Sequence, residues 1–321
     1  MSLKTPLCDM LGIEHPIMLA GMGGVSYAEV CAAVSEAGGF GCLGMAGLSV
    51  DEIQTQVRKV KELTNRPFGL DLLAAVPESL ERTADIMIEE GITAFVSGLG
   101  VPVNILERLH SADILVMNVC GAVSHAVSGA AAGVDAVIAQ GTEAGGHTGR
   151  VAGMALIPQI TDAVDIPVIA AGSIVDGRGL VAALAFGCQG VWMGTRFIAS
   201  EEAHAADMYK QVVLDADDRD TIITRCYSGK PMRVHRNPYV DNWENRPQEI
   251  KPFPEQAIIS HKANVMGGIG GQIEGLDKEK SCFAMGQGAG AIHDVLPCRD
   301  IINRTITEAE AIIEKMQAVK V

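Results

Sequence analysis

The segment from Gln140 to Gly149, which reads QGTEAGGHTG, combines one imidazole with several residues that lack bulky side chains. Small residues let a flat ligand lie against the backbone. A histidine such as His147 exchanges protons near neutral pH, so it suits acid–base chemistry beside such a ligand. The segment therefore predicts a catalytic histidine on a glycine-rich loop. Glu143 is either a second acid–base group or, in the preferred interpretation, a side chain that holds the loop through backbone N–H groups.

Two later segments carry glycine–hydroxyl pairs of the kind that bind phosphate. Gly172 and Ser173 follow one apolar run, and Gly194 and Thr195 follow the next. Glycine brings backbone N–H groups close to an anion, and the hydroxyl adds a donor. A helix starting just after Thr195 would add its positive N-terminal dipole. The pairs predict a phosphate site, with simple turn residues as the alternative.

The first apolar run also ends in small residues, at Ala20, Gly21 and Met22. They permit close backbone contact with a ligand, and the Met22 thioether could pack on an aromatic ring. Simple turn glycines would also explain this pattern, so it supports a ligand site only in combination with the other loops.

A scaffold must position these loops, and eight short apolar runs rich in Val and Ile indicate one. The runs span residues 16–20, 39–44, 67–74, 94–98, 114–119, 136–141, 167–172 and 190–194. They are apolar throughout, which is typical of parallel strands covered on both faces. Helical spacing follows each run, at 26–37, 50–64, 78–90, 102–110, 121–133, 154–164, 176–187 and 200–215.

Eight strand-then-helix units predict an α/β fold, a TIM (β/α)₈ barrel with a C-terminal capping segment. Active sites of such barrels lie at the carboxyl ends of the strands, and the loops after strands 7 and 8 often bind phosphate. A Rossmann-like open sheet is the alternative, but no G-x-G-x-x-G follows the first strand. We assign 1–215 to the barrel core and 216–321 to a cap in the same domain, since the cap looks too poor in apolar residues for its own core.

Residues 216–300 look irregular, and helical spacing returns at 305–319. Thr305 and Glu308 have the spacing of a capping box at the start of that helix. Ser26 is a candidate N-cap for the helix after the first strand.

Composition excludes several classes of protein. A formal net charge of −14 disfavours nucleic acid and anionic membranes as partners. Eight scattered cysteines without a C-x-x-C pair give no support to a metal site, and unpaired thiols fit a reducing cytosol. No signal peptide is recognisable, and no stretch reaches the roughly 18 apolar residues of a membrane span. A cytoplasmic protein is expected.

With these motifs the chain resembles the nitronate monooxygenase family, formerly called 2-nitropropane dioxygenases. The resemblance rests on QGTEAGGHTG followed by PVIAAGSIVDGRGLVAALAFGCQGVWMGTRFIASEE. HPIMLAGMGG, SGKPMRVHRNP and FAMGQGAGAI extend it over essentially the whole chain. FMN-dependent enoyl-acyl carrier protein reductases of the second, non-Rossmann type share these motifs.

The resemblance implies a TIM barrel with non-covalent FMN. It places the FMN phosphate on Gly145, Gly146, Gly172, Ser173, Gly194 and Thr195. It places the isoalloxazine near Ala20, Gly21, Met22, Asp71, Gln140 and Gln287. His147 matches the family's catalytic histidine, which is the base for a neutral nitroalkane in the monooxygenases and assists thioester handling and protonation in the enoyl reductases.

The chain departs from the family pattern at two positions. Asp71 stands where the family usually has Asn, and an anionic side chain beside the flavin could disfavour an anionic reduced flavin. Ser173 stands where the family usually has a second Gly, and it still offers its backbone N–H.

Three functions are compatible with these residues. The preferred function is oxidation of alkyl nitronates by FMN and O₂, and the alternative is reduction of an enoyl thioester or a quinone by NADH or NADPH. The third is a flavin-binding regulatory barrel, against which the ionisable His147 argues. Lys230, Arg233 and Arg236 either bind a nicotinamide or pantetheine phosphate or face solvent. The expected partner is a small-molecule substrate, and a homodimer is open.

Overall fold

A closed ring of eight parallel strands forms the centre of the computed structural model, which describes residues 3–73 and 77–318. The barrel strands are β1 (Ile17–Leu19), β2 (Gly41–Gly44), β3 (Phe68–Leu73), β4 (Ala94–Gly98), β5 (Leu115–Cys120), β6 (Ala136–Gln140), β8 (Val168–Ala171) and β9 (Gly190–Met193). A two-residue strand outside the ring, β7 (Gly146–His147), separates β6 from β8 in the sequence.

Neighbouring strands pair in parallel in the order β1-β9-β8-β6-β5-β4-β3-β2. A parallel bridge between Met18 and Phe40 joins β1 to β2 and completes the ring. Each of the eight predicted runs overlaps one barrel strand, and β5 extends one residue beyond its run, to Cys120. The last residue of the third run, residue 74, lies outside the described residues. The predicted TIM barrel is confirmed.

Helices follow the strands and cover the outside of the ring. After α1 (Pro6–Leu11), which precedes β1, they are α2 (Ala28–Glu36), α3 (Val50–Leu63), α4 (Pro77–Glu90), α5 (Leu106–His110), α6 (Val123–Ala132), α7 (Gly153–Ala163) and α8 (Gly177–Ala185). Helix α3 starts with a capping box, in which the Ser49 hydroxyl accepts from the Glu52 N–H and Glu52 accepts from the Ser49 N–H. Because such caps satisfy free N–H groups, they fix where a helix begins.

Alternate strand residues pack into two separate cores. On β1, Met18 lies among residues of the barrel interior, whereas Ile17 and Leu19 pack between the sheet and the helices. The same alternation holds on β2, where Cys42 points inward and Leu43 outward. Since successive side chains of a strand point to opposite faces, this register decides which residues reach the mouth of the barrel.

The chain after β9 forms further elements before it returns to the barrel. These are α9 (Thr195–Ile198), α10 (Asp207–Asp215), β10 (Thr221–Thr224), β11 (Met232–His235), α11 (Pro238–Glu244), α12 (Glu255–Lys262) and α13 (Cys298–Gln317), with 3₁₀ turns at Pro247–Glu249 and Gln287–Ala291. Strands β10, β11 and β7 form an antiparallel sheet, so 216–300 is less irregular than predicted.

Helix α13 packs beside α8 and α2. It therefore occupies the place of the eighth outer helix of the barrel, between the helices of the seventh and first units. The proposed division at residue 215 stays a prediction. No helix in the described ranges is long and apolar enough to cross a bilayer.

Three predicted helix boundaries are wrong. The Ser26 hydroxyl bonds the backbone of Met22, and α2 begins only at Ala28. Thr305 lies inside α13, where its hydroxyl donates to the Ile301 carbonyl, because that helix already begins at Cys298. The predicted helix at 200–215 is helical only from 207, after the separate single turn of α9.

Candidate active site

The inner face of the barrel ends, at the carboxyl side of the strands, in a layer of mostly small residues that we call the floor: Ala20, Gly44, Asp71, Gln140 and Gly194. Ala20 belongs to the interior core. The other four each follow a residue of their strand that packs outward, and these residues are Leu43, Leu70, Ala139 and Met193. Strand alternation therefore turns the floor residues inward. Three of the five carry no more than a methyl group, so Asp71 and Gln140 are the polar side chains of the floor.

Two glycines allow the loop after β1 to lie directly on the floor. A Cβ on Gly21 would overlap the Asp71 side chain, and a Cβ on Gly44 would overlap the Met22 backbone. At Gly194, a Cβ would lie 3.3 Å from the Met22 sulfur and 3.4 Å from the Ala20 methyl. Of the predicted ring-binding residues after β1, Gly21 thus contacts Asp71, whereas Met22 lies against Gly44 and Gly194.

The Asp71 carboxyl has no hydrogen-bond or ion-pair partner among the described residues. Burial raises its pKa to about 8. The charge of an ionised Asp71 contributes to the raised pKa of the Cys42 thiol on β2, which faces the same barrel interior. At pH 7 the Asp71 side chain is therefore mostly a neutral carboxylic acid, in contrast to the anionic group expected from the sequence.

His147 lies next to the floor because polar contacts hold its loop. The Gln140 side-chain amide donates to the His147 carbonyl at 2.7 Å. The His147 Nε2 atom lies 2.9 Å from the Ser228 hydroxyl. Burial, and then the charge of Lys230, lower the pKa of His147 to about 4. The imidazole is therefore neutral at pH 7, whereas the sequence suggested proton exchange near neutral pH.

The position of His147 depends on a distant part of the chain. Strand β7 pairs antiparallel with β11, so that His147 lies opposite Met232 and Gly146 opposite Arg233. The Arg233 side chain donates to the Thr142 carbonyl at 3.1 Å, which fastens the same loop a second time. Arg233 thus has a structural role, whereas Arg236 pairs with Asp241 on the exposed surface.

Ser228 is a site residue that sequence reasoning missed. Its hydroxyl contacts His147 and also lies 3.2 Å from both the carbonyl and the N–H of Lys230. The serine opens the motif SGKPMRVHRNP, which contributed to the family resemblance. That motif was the signal that could have found it, but only the pairing of β7 with β11 shows that it reaches the histidine.

A segment near residue 286 joins the loops after β8 and β9. The Thr195 hydroxyl accepts from the Gly286 N–H, and the Ser173 hydroxyl accepts from the Gly288 N–H, each at 2.9 Å. The Ser173 hydroxyl also lies 3.3 Å from the Glu143 carbonyl, to which it donates. Thr195 keeps its hydroxyl proton free for a ligand, since a hydroxyl can donate while it accepts.

The same segment closes on the loop after β6. The Gln287 N–H donates to the Glu143 carbonyl at 3.0 Å, although the Gln287 side chain is exposed. A Cβ on Gly145 would lie 2.6 Å from the Met285 carbonyl carbon, so only glycine permits this approach. We call this second group the rim: Gly145, Gly172, Ser173, Thr195 and Gln287.

Left-handed backbone occurs in the loop that carries His147 and at one of the two glycine–hydroxyl pairs, Gly172–Ser173. Gly146 has φ +72°, Gly172 has φ +112°, and Ser173 has φ +53° although it is not glycine. Serine in this conformation costs ~1 kcal/mol more than glycine would. Helix α9 after Thr195 is a single turn of four residues, so the dipole expected there is small.

Glu143 has the structural role that the sequence favoured. Its carboxylate accepts from the Gly153 N–H at 3.0 and 3.1 Å. Gly153 is the first residue of α7, so the acid satisfies a free donor at the positive end of that helix. This contact fixes the loop between β6 and α7, which carries Gly145, Gly146 and His147.

The arrangement fits a planar cofactor with a phosphate tail. Ala20, Gly44 and Gly194 leave room on the floor for a ring beside the Met22 side chain, and the rim brings three glycine-containing turns together at the strand ends. A Cβ added at Gly146 would meet no atom within 4 Å, so the outer face of this glycine is open. No group of three His, Cys, Asp or Glu residues that could hold a metal occurs within the described ranges.

Comparison with known proteins identifies the family. The model of the nitronate monooxygenase family matches residues 4–308. The chain belongs to the nitronate monooxygenase family. This membership makes it an oxidoreductase and supports a flavin as its cofactor, so the non-catalytic interpretation is set aside.

Relatives in this family have names that denote different activities. A (3aS,4S,5R,7aS)-5-hydroxy-7a-methyl-1-oxo-octahydro-1H-indene-4-carboxyl-CoA dehydrogenase of Mycobacterium tuberculosis is 34% identical, with 96% of this chain and 97% of that protein covered. A probable nitronate monooxygenase of Staphylococcus saprophyticus is 32% identical, with 81% and 86% covered. The solved structure of FabK from Thermotoga maritima has a TM-score of 0.90 and 35% identity, with 98% of each chain covered.

Proposed function

We propose that this member of the nitronate monooxygenase family is an FMN-dependent reductase of an enoyl thioester, with NADH or NADPH as the reductant. The observation that carries the proposal is the state of His147. Burial keeps its imidazole neutral at pH 7, and Ser228 engages its Nε2 atom. A neutral imidazole is a weak base at a pKa of about 4, but its N–H can polarise a carbonyl oxygen.

The residues that would hold FMN come from the floor, the rim and the loops that carry Gly21, Met22 and Gly146. For the ring these are Ala20, Gly21, Met22, Asp71, Gln140 and Gln287. For the phosphate these are Gly145, Gly146, Gly172, Ser173, Gly194 and Thr195. FMN, when bound, supplies the chemistry of accepting a hydride from a nicotinamide and passing it to a substrate.

The protein's own contribution is a directed hydrogen bond. The Nδ1 atom of His147 has no partner among the described residues, so it is the nitrogen left for a substrate. The Ser228 hydroxyl has one proton, which it can donate to the Lys230 carbonyl or to Nε2. When it donates to Nε2, the imidazole proton resides on Nδ1 and can be donated to the thioester carbonyl. Such a bond stabilises negative charge that develops on that oxygen during hydride addition to the β-carbon.

Two further observations support a thioester. The M. tuberculosis relative named above is a dehydrogenase of a carboxyl-CoA compound, and it matches this chain over nearly its full length. The side chain of Lys230, close enough to lower the pKa of His147, places a cation beside the proposed carbonyl site. We also propose a reducing, cytoplasmic environment, which is supported by eight cysteines that are all unpaired and buried.

The test is anaerobic mixing of the FMN-loaded protein with NADH, with NADPH and with propyl-2-nitronate. We expect one nicotinamide to bleach the flavin absorption and crotonyl-CoA to restore it. Bleaching by the nitronate alone would replace this proposal with the second candidate. A protein that does not take up FMN would remove the cofactor assignment itself.

The second candidate is oxidation of an alkyl nitronate with O₂. The family model and the S. saprophyticus relative favour it. With a pKa of about 4, His147 would be a weak base for a neutral nitroalkane, so this candidate acts on the preformed anion, which the charge of Lys230 attracts. Turnover of propyl-2-nitronate without turnover of 2-nitropropane would agree with it, and equal rates on both would contradict this role of His147.

A further inference from the structure

Asp71 is a carboxyl group that the proposed hydride transfer does not use. It lies on the floor between outward-packed Leu70 and Leu72, and its side chain rests against Gly21. It has no hydrogen-bond or ion-pair partner among the described residues. The Asp71 side chain is half-buried, and a carboxyl without a protein partner in the floor of a ligand site indicates that the ligand supplies the partner.

The surroundings of Asp71 leave it no other charge to interact with. Cys42 on β2 is the titratable group whose electrostatic coupling to Asp71 is resolved, and burial raises the pKa of that thiol well above its usual value. The neighbours from the loop after β1, from β2 and from β4 are Gly21, Gly44 and Gly98, which carry no charge. No cation in the described ranges offsets an ionised Asp71.

We propose that Asp71 binds the flavin ring as a neutral carboxylic acid, donates a hydrogen bond to it, and couples reduction of the flavin to uptake of a proton. This inference rests on the proposed FMN site and deepens it. Gln140 commits one of its two side-chain N–H groups to the His147 carbonyl, whereas the Asp71 hydroxyl has no partner among the described residues and is wholly available to the ring.

The coupling follows from charge. Two electrons and one proton convert the oxidised flavin into an anionic reduced flavin. That negative charge makes ionisation of a neighbouring carboxyl less favourable, so a carboxylate present before reduction takes up a second proton. The reductant is dithionite in the test and a nicotinamide in turnover. The protonation of Asp71 also removes the anionic charge that the sequence placed beside the reduced flavin.

The experiment is spectroelectrochemical titration of the FMN-loaded protein from about pH 6 to about pH 9.5. At one proton per two electrons the potential falls by about 30 mV per pH unit, since a tenfold change in a two-electron equilibrium corresponds to about 30 mV. We expect this slope in the wild type below pH 8 and a slope of about 60 mV per pH unit, or two protons, above it. Asp71→Asn, which keeps a donor but cannot ionise, should keep the shallow slope throughout.

The controls make the result decisive. Cys42→Ala removes the neighbouring thiol and should keep the bend near pH 8, so loss of the bend in that variant would assign it to the thiol and overturn the proposal. A straight line in the wild type, or a bend that persists in Asp71→Asn, also overturns it. These outcomes leave the thioester reduction intact, whereas a wild type that does not retain FMN defeats both proposals.

Discussion

The floor and the rim are neighbouring parts of one site, but the chain builds them in different ways. The floor consists of residues at or near the strand ends, and their inward orientation follows from strand alternation. The rim consists of turns after three strands, which Met285–Gly288 ties together from a late part of the sequence. The floor is therefore local and rigid, whereas the rim is assembled by contacts over long sequence distances.

His147 belongs to neither the floor nor the rim, and its substitution should lower turnover more than any other change considered below. His147→Asn removes the proposed carbonyl donor but none of the floor, so turnover should fall by ~10²–10⁴-fold. FMN affinity should change little, and fluorescence quenching of free FMN measures it. Equal losses of turnover and of FMN affinity would show that His147 supports the site structurally.

The pH dependence sharpens the same test. Folding lowers the pKa of His147 from 6.5 to about 4, so the folded protein favours the neutral imidazole. The activity that depends on neutral His147 should persist as the pH falls through 6.5 and decline only near pH 4. The stability gained from the neutral form is likewise present above pH 6.5 and is lost between 6.5 and 4. An acid limb of kcat/KM at pH 6.5 would contradict this assignment.

The loop after β1 should tolerate no side chain added where it lies on the floor. Gly21→Ala places a methyl group on the Asp71 side chain, so FMN affinity should fall by ~10²-fold because the loop must move off the floor. Gly23→Ala is the matched control, since its Cβ would meet its nearest atoms at 3.4 Å, an ordinary contact. Flavin titration of both variants checks the difference, and similar affinities would show that the floor is not the ring site.

Ser228 tests whether the β7–β11 connection orients the histidine. Ser228→Ala should lower kcat by ~10-fold with little change in KM, because Nε2 loses the partner that directs the imidazole proton. Ser228→Thr retains the hydroxyl and should restore most of the rate. A purely structural serine would give the same kcat in the Ala and Thr variants, after correction for their stabilities.

A single substitution in the rim should change FMN affinity least, because several hydrogen bonds hold the rim together. Thr195→Val removes the acceptor of the Gly286 N–H and a free hydroxyl donor, so FMN affinity should fall by ~5-fold, about 1 kcal/mol. Thr195→Ser keeps both and should bind as the wild type does. A loss as large as that of Gly21→Ala would mean that the rim, and not the floor, dominates binding.

The sequence indicated where strand ends meet, but it did not show the contacts that join the rim. Short apolar runs reveal parallel strands, and once eight strands form a barrel their carboxyl ends must meet. Ala20, Asp71 and Gln140 could be placed from that pattern and from the family motifs. Gln287 was named only through the resemblance, since its backbone contact with Glu143 depends on how 216–300 folds.

The sequence also did not predict where some helices begin or which protonation states Asp71 and His147 have. Ser26 has the right residue type for an N-cap, but its hydroxyl is taken by the Met22 backbone, which the sequence does not show. The protonation of Asp71 and the neutrality of His147 arise from burial, and burial is a property of the folded chain. Residue types therefore indicated which groups can exchange protons, whereas their environment in the folded chain determines which of them are protonated at pH 7.

The placement of α13 has a consequence for how the protein is made. The last barrel strand ends at Met193, but the helix that covers it begins only at Cys298. A nascent chain therefore exposes one seam of its barrel until nearly the whole chain has been synthesised. Contacts between residues so far apart in the sequence slow folding. We expect chaperones to meet this seam first, and a stop codon before Cys298 to yield an insoluble barrel instead of an enzyme without its cap.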